Sequence, residues 1–200
     1  MGCDIHMITE VRRTVNGEKK WVNADHWKLN PYFSEEDSEE PEYTIIDLCG
    51  DRNYELFSAL ANVRNYNGNP CIFEPRGIPA DASAQTKKVV EYWGSDGHSH
   101  SYVTLAELRD FASKHKKVKR GGMVSPEQAQ ALDCNGVEPD SWCLMTSDKT
   151  AVQREWESDF ICCNELIAKM EERLREEFWL YGEYDPDKEN EIRIIFLFDN

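Results

Sequence analysis

Three short stretches carry the residue types of acid–base and metal chemistry. In the first, Cys3-Asp4-Ile5-His6-Met7, an aspartate and a histidine stand two apart in an otherwise apolar run. Residues i and i+2 of a strand share a face, so Asp4 and His6 are expected on one side and Cys3, Ile5 and Met7 on the other, in a core. The second is Asp51-Arg52, and the third is Asp96-Gly97-His98-Ser99-His100. Carboxylates and neutral imidazoles are the donors of divalent metal sites such as Zn, Mn or Mg. An ion held this way activates water and polarises a phosphoryl oxygen. Asp4, His6, His98 and His100 are therefore the candidate metal ligands, and Asp4, His6, Asp96 and His98 the candidate catalytic groups. Each has a plainer reading. Asp51 suits a helix N-cap, the loop histidines suit local hydrogen bonds, and Asp4 and His6 suit pairing across a sheet.

A second constellation would hold an anion. Arg52 and Arg76 carry guanidinium groups that grip phosphate or carboxylate through two parallel N–H donors. Arg76 sits in Pro75-Arg76-Gly77-Ile78-Pro79, where two prolines fix the backbone that presents it. Tyr54, Asp81, Ser83 and Ser99, neighbours of these groups in the same stretches, complete the candidate ligand-binding set. Pairing of Arg76 with an acidic side chain is the competing expectation in so acidic a chain.

The pieces Asp4-x-His6, Gly50-Asp51 and Gly97-His98-x-His100 echo the calcineurin-like metallophosphoesterase signature. The Gly-Asn-His/Asp element of that signature stands here as Gly68-Asn69-Pro70, and proline cannot ligate a metal. The histidine element also falls halfway along the chain, and the first strand reads as half of a hairpin, so the family does not apply. No Gly-x-Ser-x-Gly elbow is present, and Cys3 is expected to face the core, which argues against serine or thiolate nucleophiles.

Composition narrows the partners. The chain has 200 residues, 38 acidic against 23 basic, and a net charge of −15. That balance opposes binding to nucleic-acid polymers and to anionic membranes, while leaving room for a small anion in a pocket with local arginines. Seven cysteines without a CxxC spacing suit reduced thiols in the cytoplasm. No run is long and apolar enough for a leader or a membrane span.

The elements that would position these residues follow from periodicity. Residues 3–12 and 19–23 read as a hairpin turning at Asn16-Gly17, and Tyr43–Cys49 as a strand. Residues 34–42 read as a mobile acidic loop. Helices are expected at 51–64, capped by Asp51; at 104–116, opened by the Thr104/Glu107 capping box; and after Ser125-Pro126. Residues 71–83 and 93–101 read as loops, and Lys114–Arg120 as a helix end and loop. A single long helix is expected over 150–181, with a stripe through Trp156, Phe160, Cys163, Ile167, Met170, Leu174 and Phe178 that suits core packing or a homodimer, and a stop at Gly182. Ile192–Phe198 is apolar enough to be a central strand, paired with the N-terminal one. The predicted fold is α+β: a mainly antiparallel sheet holding both terminal strands, covered by three helices, one of them long. Residues 1–200 form one domain, with a possible insertion at 121–147.

Taken together, Met1-Gly-Cys-Asp-Ile-His6, Asp51-Arg-Asn-Tyr-x-Leu-Phe57, Pro75-Arg-Gly-Ile-Pro-x-Asp81-x-Ser83, Asp96-Gly-His-Ser-His-Ser-Tyr102 with its following Thr-Leu-x-Glu-Leu, and the terminal Phe-x-Phe-Asp-Asn resemble a family of uncharacterised bacteriophage and prophage proteins. The resemblance implies an accessory protein acting in the bacterial host cytoplasm and carries no established activity. The leading expectation is a pocket for a phosphate-bearing small molecule, a nucleotide, either hydrolysed with a divalent metal or captured as a host defence signal. An inhibitor that binds a host protein is the further alternative.

Overall fold

A computed structural model of the chain describes residues 2–36, 40–49, 52–181 and 186–199. In chain order the elements are β1 (Asp4–Val15), β2 (Glu18–Asn23), β3 (Trp27–Leu29), β4 (Tyr43–Ile45), α1 (Tyr54–Ala61), α2 (Ala84–Trp93), β5 (His98–Thr104), α3 (Leu105–Lys114), β6 (Lys117–Val124), α4 (Pro126–Asn135), β7 (Val152–Asp159), α5 (Cys162–Tyr181), a 3-10 turn (Pro186–Asn190) and β8 (Ile192–Asp199). The principal sheet runs β2-β1-β8-β5, and β3-β4 and β6-β7 form two-stranded sheets. All pairings are antiparallel. The fold is α+β, with both terminal strands side by side in the main sheet.

The hairpin forms where its turn chemistry points. Val15 pairs with Glu18, and Asn16 and Gly17 take φ of 54° and 83°, the left-handed pair that matches strand twist. β8 lies between β1 and β5, and its residues from Ile192 to Phe198 are buried without exception. Ile192, Ile194, Phe196 and Phe198 join Cys3, Ile5, Met7 and Val11 in one core with α1, α3 and α5. The opposite face carries Asp4, His6, Ile8 and Glu10 of β1, directly across from Asp199, Leu197, Ile195 and Arg193 of β8. α2 covers that face: Trp93 stacks on His6, and Thr86 donates to Glu10. Burial on both faces explains why β8 shows no polar alternation except Arg193.

Several expectations change. The first helix is shorter than 51–64, and its cap is Asn53, whose side chain accepts from the Leu56 N–H at 3.1 Å; Asp51 lies outside the described residues. Of the predicted strand 43–49 only Tyr43–Ile45 pairs, with β3. Within 93–101, residues from His98 onward are strand, not loop, and Lys117–Arg120 begins β6 instead of ending a helix. The single long helix over 150–181 is two elements. Val152–Asp159 is strand β7, in which Trp156 and Ser158 are buried between exposed Glu155, Glu157 and Asp159, a period of two. The helix proper begins at Cys162, and Cys163, Leu166, Met170 and Leu174 pack into the core. Its expected stop, Gly182, lies outside the described residues, as do 37–39 of the acidic stretch. The C-terminal end of that stretch is held by Asn30, which donates to Glu40 at 3.2 Å and to the Pro41 carbonyl at 2.9 Å. Both capping boxes form as read, Thr104 with Glu107 and Ser125 with Gln128.

Candidate functional site

Asp4 and His6 share a face, as alternation requires, and Asp199 joins them from the neighbouring strand. The Asp4 N–H donates to the Asp199 carboxylate at 3.1 Å, and His6 Nε2 lies 3.3 Å from the same carboxylate. His6 stacks on Trp93 with ring centroids 3.8 Å apart. Asp4 itself is taken by Arg52, whose Nε and Nη2 approach its two oxygens at 2.5 and 2.7 Å. The guanidinium holds the Asp4 carboxyl below the ordinary carboxylate range.

The two loop histidines separate. His98 pairs with Phe198 and Ser101 with Phe196, so a β-bulge inserts one residue between them, and Ser99 takes a φ of 51°. The register puts His98 on the side of Phe198, where the two rings stack 6.0 Å apart, and its Nδ1 is 3.0 Å from Ser99 Oγ. His100 turns toward the His6 side: a Cβ added at Gly97 would meet His100 Nε2, Leu197 and the Trp93 Cβ, each at 3.3 Å. Burial and then the charge of His98 lower the His100 pKa, which favours its neutral form. Asp96 is exposed in the turn after α2. Among the described residues no three His, Cys, Asp or Glu side chains converge in a metal-holding group.

Arg76, Asp81 and Ser83 work in internal networks. Arg76 reaches Glu107 at 2.9 and 3.1 Å and the Tyr102 carbonyl, with its guanidinium 3.9 Å from the Phe73 ring centroid and 4.0 Å from that of Tyr102. Burial alone would raise the Glu107 carboxyl; the Arg76 and Thr104 hydrogen bonds outweigh it and leave the pKa lowered. Glu10, fully buried, receives Arg193 at 2.8 and 2.9 Å, the Ser83 N–H at 2.7 Å and the Thr86 hydroxyl at 2.5 Å. Asp81 holds the other side of Arg193 at 2.9 Å. This network joins the Pro75–Ser83 loop and the start of α2 to the sheet.

The arginine that sequence placed beside a site does stand in a cleft. Arg52, Asn53, Tyr54 and Glu55, at the start of α1, line an opening of about 540 Å³ with Arg64, Tyr66, Arg120 and Trp142. Arg64 has a φ of 54° and donates to the Tyr66 hydroxyl at 3.2 Å, with its guanidinium 6.0 Å from the Tyr54 ring centroid. A left-handed arginine is uncommon and concentrates strain where the side chain is held. Arg120 pairs with Glu55 at 2.5 and 3.2 Å and lies 5.3 Å from the Trp142 ring centroid. Asn65, Asn67 and Asn69 form the rim. Asn69 exchanges bonds of 2.8 and 2.9 Å with the Lys119 backbone, and so clamps the Asn65–Asn69 turn to β6. Gly121 and Gly122 admit the opposite wall: a Cβ on Gly122 would stand 2.7 Å from Trp142 Cδ1 and 3.0 Å from the Cys143 carbonyl. The cleft thus gathers three guanidinium groups, two phenol rings and an indole beside a helix N-terminus, whose dipole also favours anions.

Comparison of the chain with family models, with curated proteins and with solved structures gave no match.

Arg64, Tyr66, Arg120 and Trp142 were not legible as site residues. Arg64 reads as a helix end, Asn65–Pro70 as a turn and Arg120 as part of a basic loop, so no local signal marks the neighbourhood. A larger groove of about 620 Å³ lies between the β1–β2 hairpin and α5, but Arg13 is bound to Glu177 there and Lys19 to Glu191 at 2.7 Å, and among the described residues Phe178 is its one aromatic ring. Cys3 is buried and its thiol pKa is raised by desolvation, against the opposing effect of Arg64, so it suits packing better than nucleophilic attack. No described helix is long and apolar enough to cross a membrane.

Proposed function

We propose that the protein binds a phosphate-bearing small molecule of the nucleotide class in the cleft at the start of α1. One observation carries the reading: Arg52, Arg64 and Arg120 line a single cleft with Tyr54, Tyr66 and Trp142, in a chain whose net charge is −15. Guanidinium groups recognise phosphate oxygens in pairs, and aromatic faces give a base a stacking surface. The cleft volume lies in the range that takes a mononucleotide. Asp4 already pairs with Arg52 and Glu55 with Arg120, so a phosphate would compete with these carboxylates for the two guanidinium groups.

Capture is the favoured form of this reading: among the described residues Glu55 is the carboxylate that lines the cleft, and Arg120 engages it. With the resemblance to phage proteins, the corresponding biological role is sequestration of a host signalling nucleotide. A nucleotide panel tests this by its effect on melting temperature, followed by chromatography of the ligand released on denaturation. Intact ligand supports capture, a cleaved one supports hydrolysis, and no shift from any nucleotide or from pyrophosphate refutes the pocket.

A further inference from the structure

A second cavity is lined in part by His6. It measures about 440 Å³, and four aromatic rings line it from three elements: Trp27 of β3, Tyr43 of β4, and Tyr92 and Trp93 of α2. His6 forms part of its wall, backed by Trp93 and by the Asp199 carboxylate. Tyr92 is oriented by its hydroxyl, which donates to Glu40 at 3.2 Å. Asp47 stands at the lining with no salt bridge among the described residues, and its carboxyl pKa is raised by desolvation against the opposing charges of His6 and Lys28.

Anions and cations make different demands on such a cavity. An anion would meet Asp47 in the lining and Glu40 at Tyr92, with Lys88 as its one lysine in the wall. An organic cation would meet aromatic faces, whose quadrupoles attract positive charge, and a carboxylate without a salt bridge. Lys88 is exposed and free to extend its ammonium into water. We infer that this aromatic cavity is a binding site for a small organic cation of the quaternary or methylated ammonium type, held by Trp27, Tyr43, Tyr92 and Trp93 and neutralised by Asp47. The site is separate from the arginine cleft and does not depend on the function proposed for it.

Calorimetric titration with choline and with 3,3-dimethylbutan-1-ol, its neutral carbon isostere, separates cation recognition from plain apolar burial. The expected result is saturable choline binding, at least about fivefold tighter than that of the isostere. Exposed Lys88→Gln should tighten choline by removing a like charge, and Asp47→Asn should weaken it severalfold. Both substitutions lie at exposed positions, so folding is not at stake. Equal affinity for the two probes, weaker choline binding in Lys88→Gln, or no heat up to roughly 50 mM choline would overturn the inference.

Discussion

Asp4 of the first strand grips Arg52, the residue before the cap of α1, through both carboxylate oxygens at 2.5 and 2.7 Å. The contact ties the suspected Asp4/His6 pair to the arginine cleft and sets the Asp4 carboxylate in competition with any anion for Arg52. A Cβ at Gly2 would meet only the Arg52 guanidinium, the movable end of a flexible side chain.

Releasing that grip has a direction. Asp4→Asn removes the carboxylate that competes for Arg52 and should tighten a phosphate ligand severalfold. Both partners are substantially exposed, so solvent screens the pair and the melting temperature should barely move. Parallel nucleotide titration and thermal unfolding of the variant check both halves.

Gly122→Ala tests the far wall. The added methyl must displace Trp142 or the Cys143 carbonyl, at a cost of roughly 1–3 kcal/mol. Nucleotide affinity should fall with it, while the choline response at the His6 cavity stays unchanged. A variant with an unmoved Trp142 signal and full nucleotide affinity would remove that wall from the site.

The Glu10–Arg193 pair is expected to be the most costly to break. Arg193→Met leaves Glu10 buried without its guanidinium, and losing one partner of a buried pair costs roughly 3–5 kcal/mol. In a protein of this length the melting temperature should drop by roughly 10 °C. The double variant Glu10→Gln/Arg193→Met should recover part of the loss, since no charge is then stranded.

Asp25 supplies a pH dependence. It accepts from the Thr9 N–H at 2.8 Å and from the Asn23 amide at 2.6 Å, yet desolvation raises its pKa to about 6. The unfolded value is about 3.9. A raised carboxyl binds its proton more tightly in the folded state, so its contribution is complete below about pH 4 and is lost as pH rises through about 6. Urea unfolding between pH 4 and 7 should show stability falling over that window relative to Asp25→Asn, in which the slope is flatter.

What sequence made legible, and what it hid, follows from the range of each signal. Asn16-Gly17, Thr104/Glu107 and Ser125/Gln128 act within four residues, and each formed the expected turn or cap. The unbroken apolar run of β8 marked it as central. Trp156 misled because its spacing to Phe160 and Cys163 fits a helix while its immediate neighbours alternate as a strand. The arginine cleft was only half visible. Arg52 and Tyr54 belong to one local stretch, but Arg64, Arg120 and Trp142 reach them through the Asn69–Lys119 clamp and the Gly122–Cys143 approach, contacts that span 20 to 50 residues. Arg76, Asp81 and Ser83 look the same in sequence and are drawn into networks by Glu107, Arg193 and Glu10 respectively, residues distant along the chain.

The arginine cleft is tested most directly by calorimetric titration of the wild-type protein and of Arg64→Gln/Arg52→Gln with AMP, ATP, a cyclic mononucleotide and pyrophosphate. The expected result is saturable binding of at least one of them, with a Kd below roughly 0.1 mM at low salt, weakened at least about tenfold in the double variant and further by added salt. No saturable heat from any of the four at millimolar concentration, or equal affinity in the wild type and a folded double variant, would contradict it.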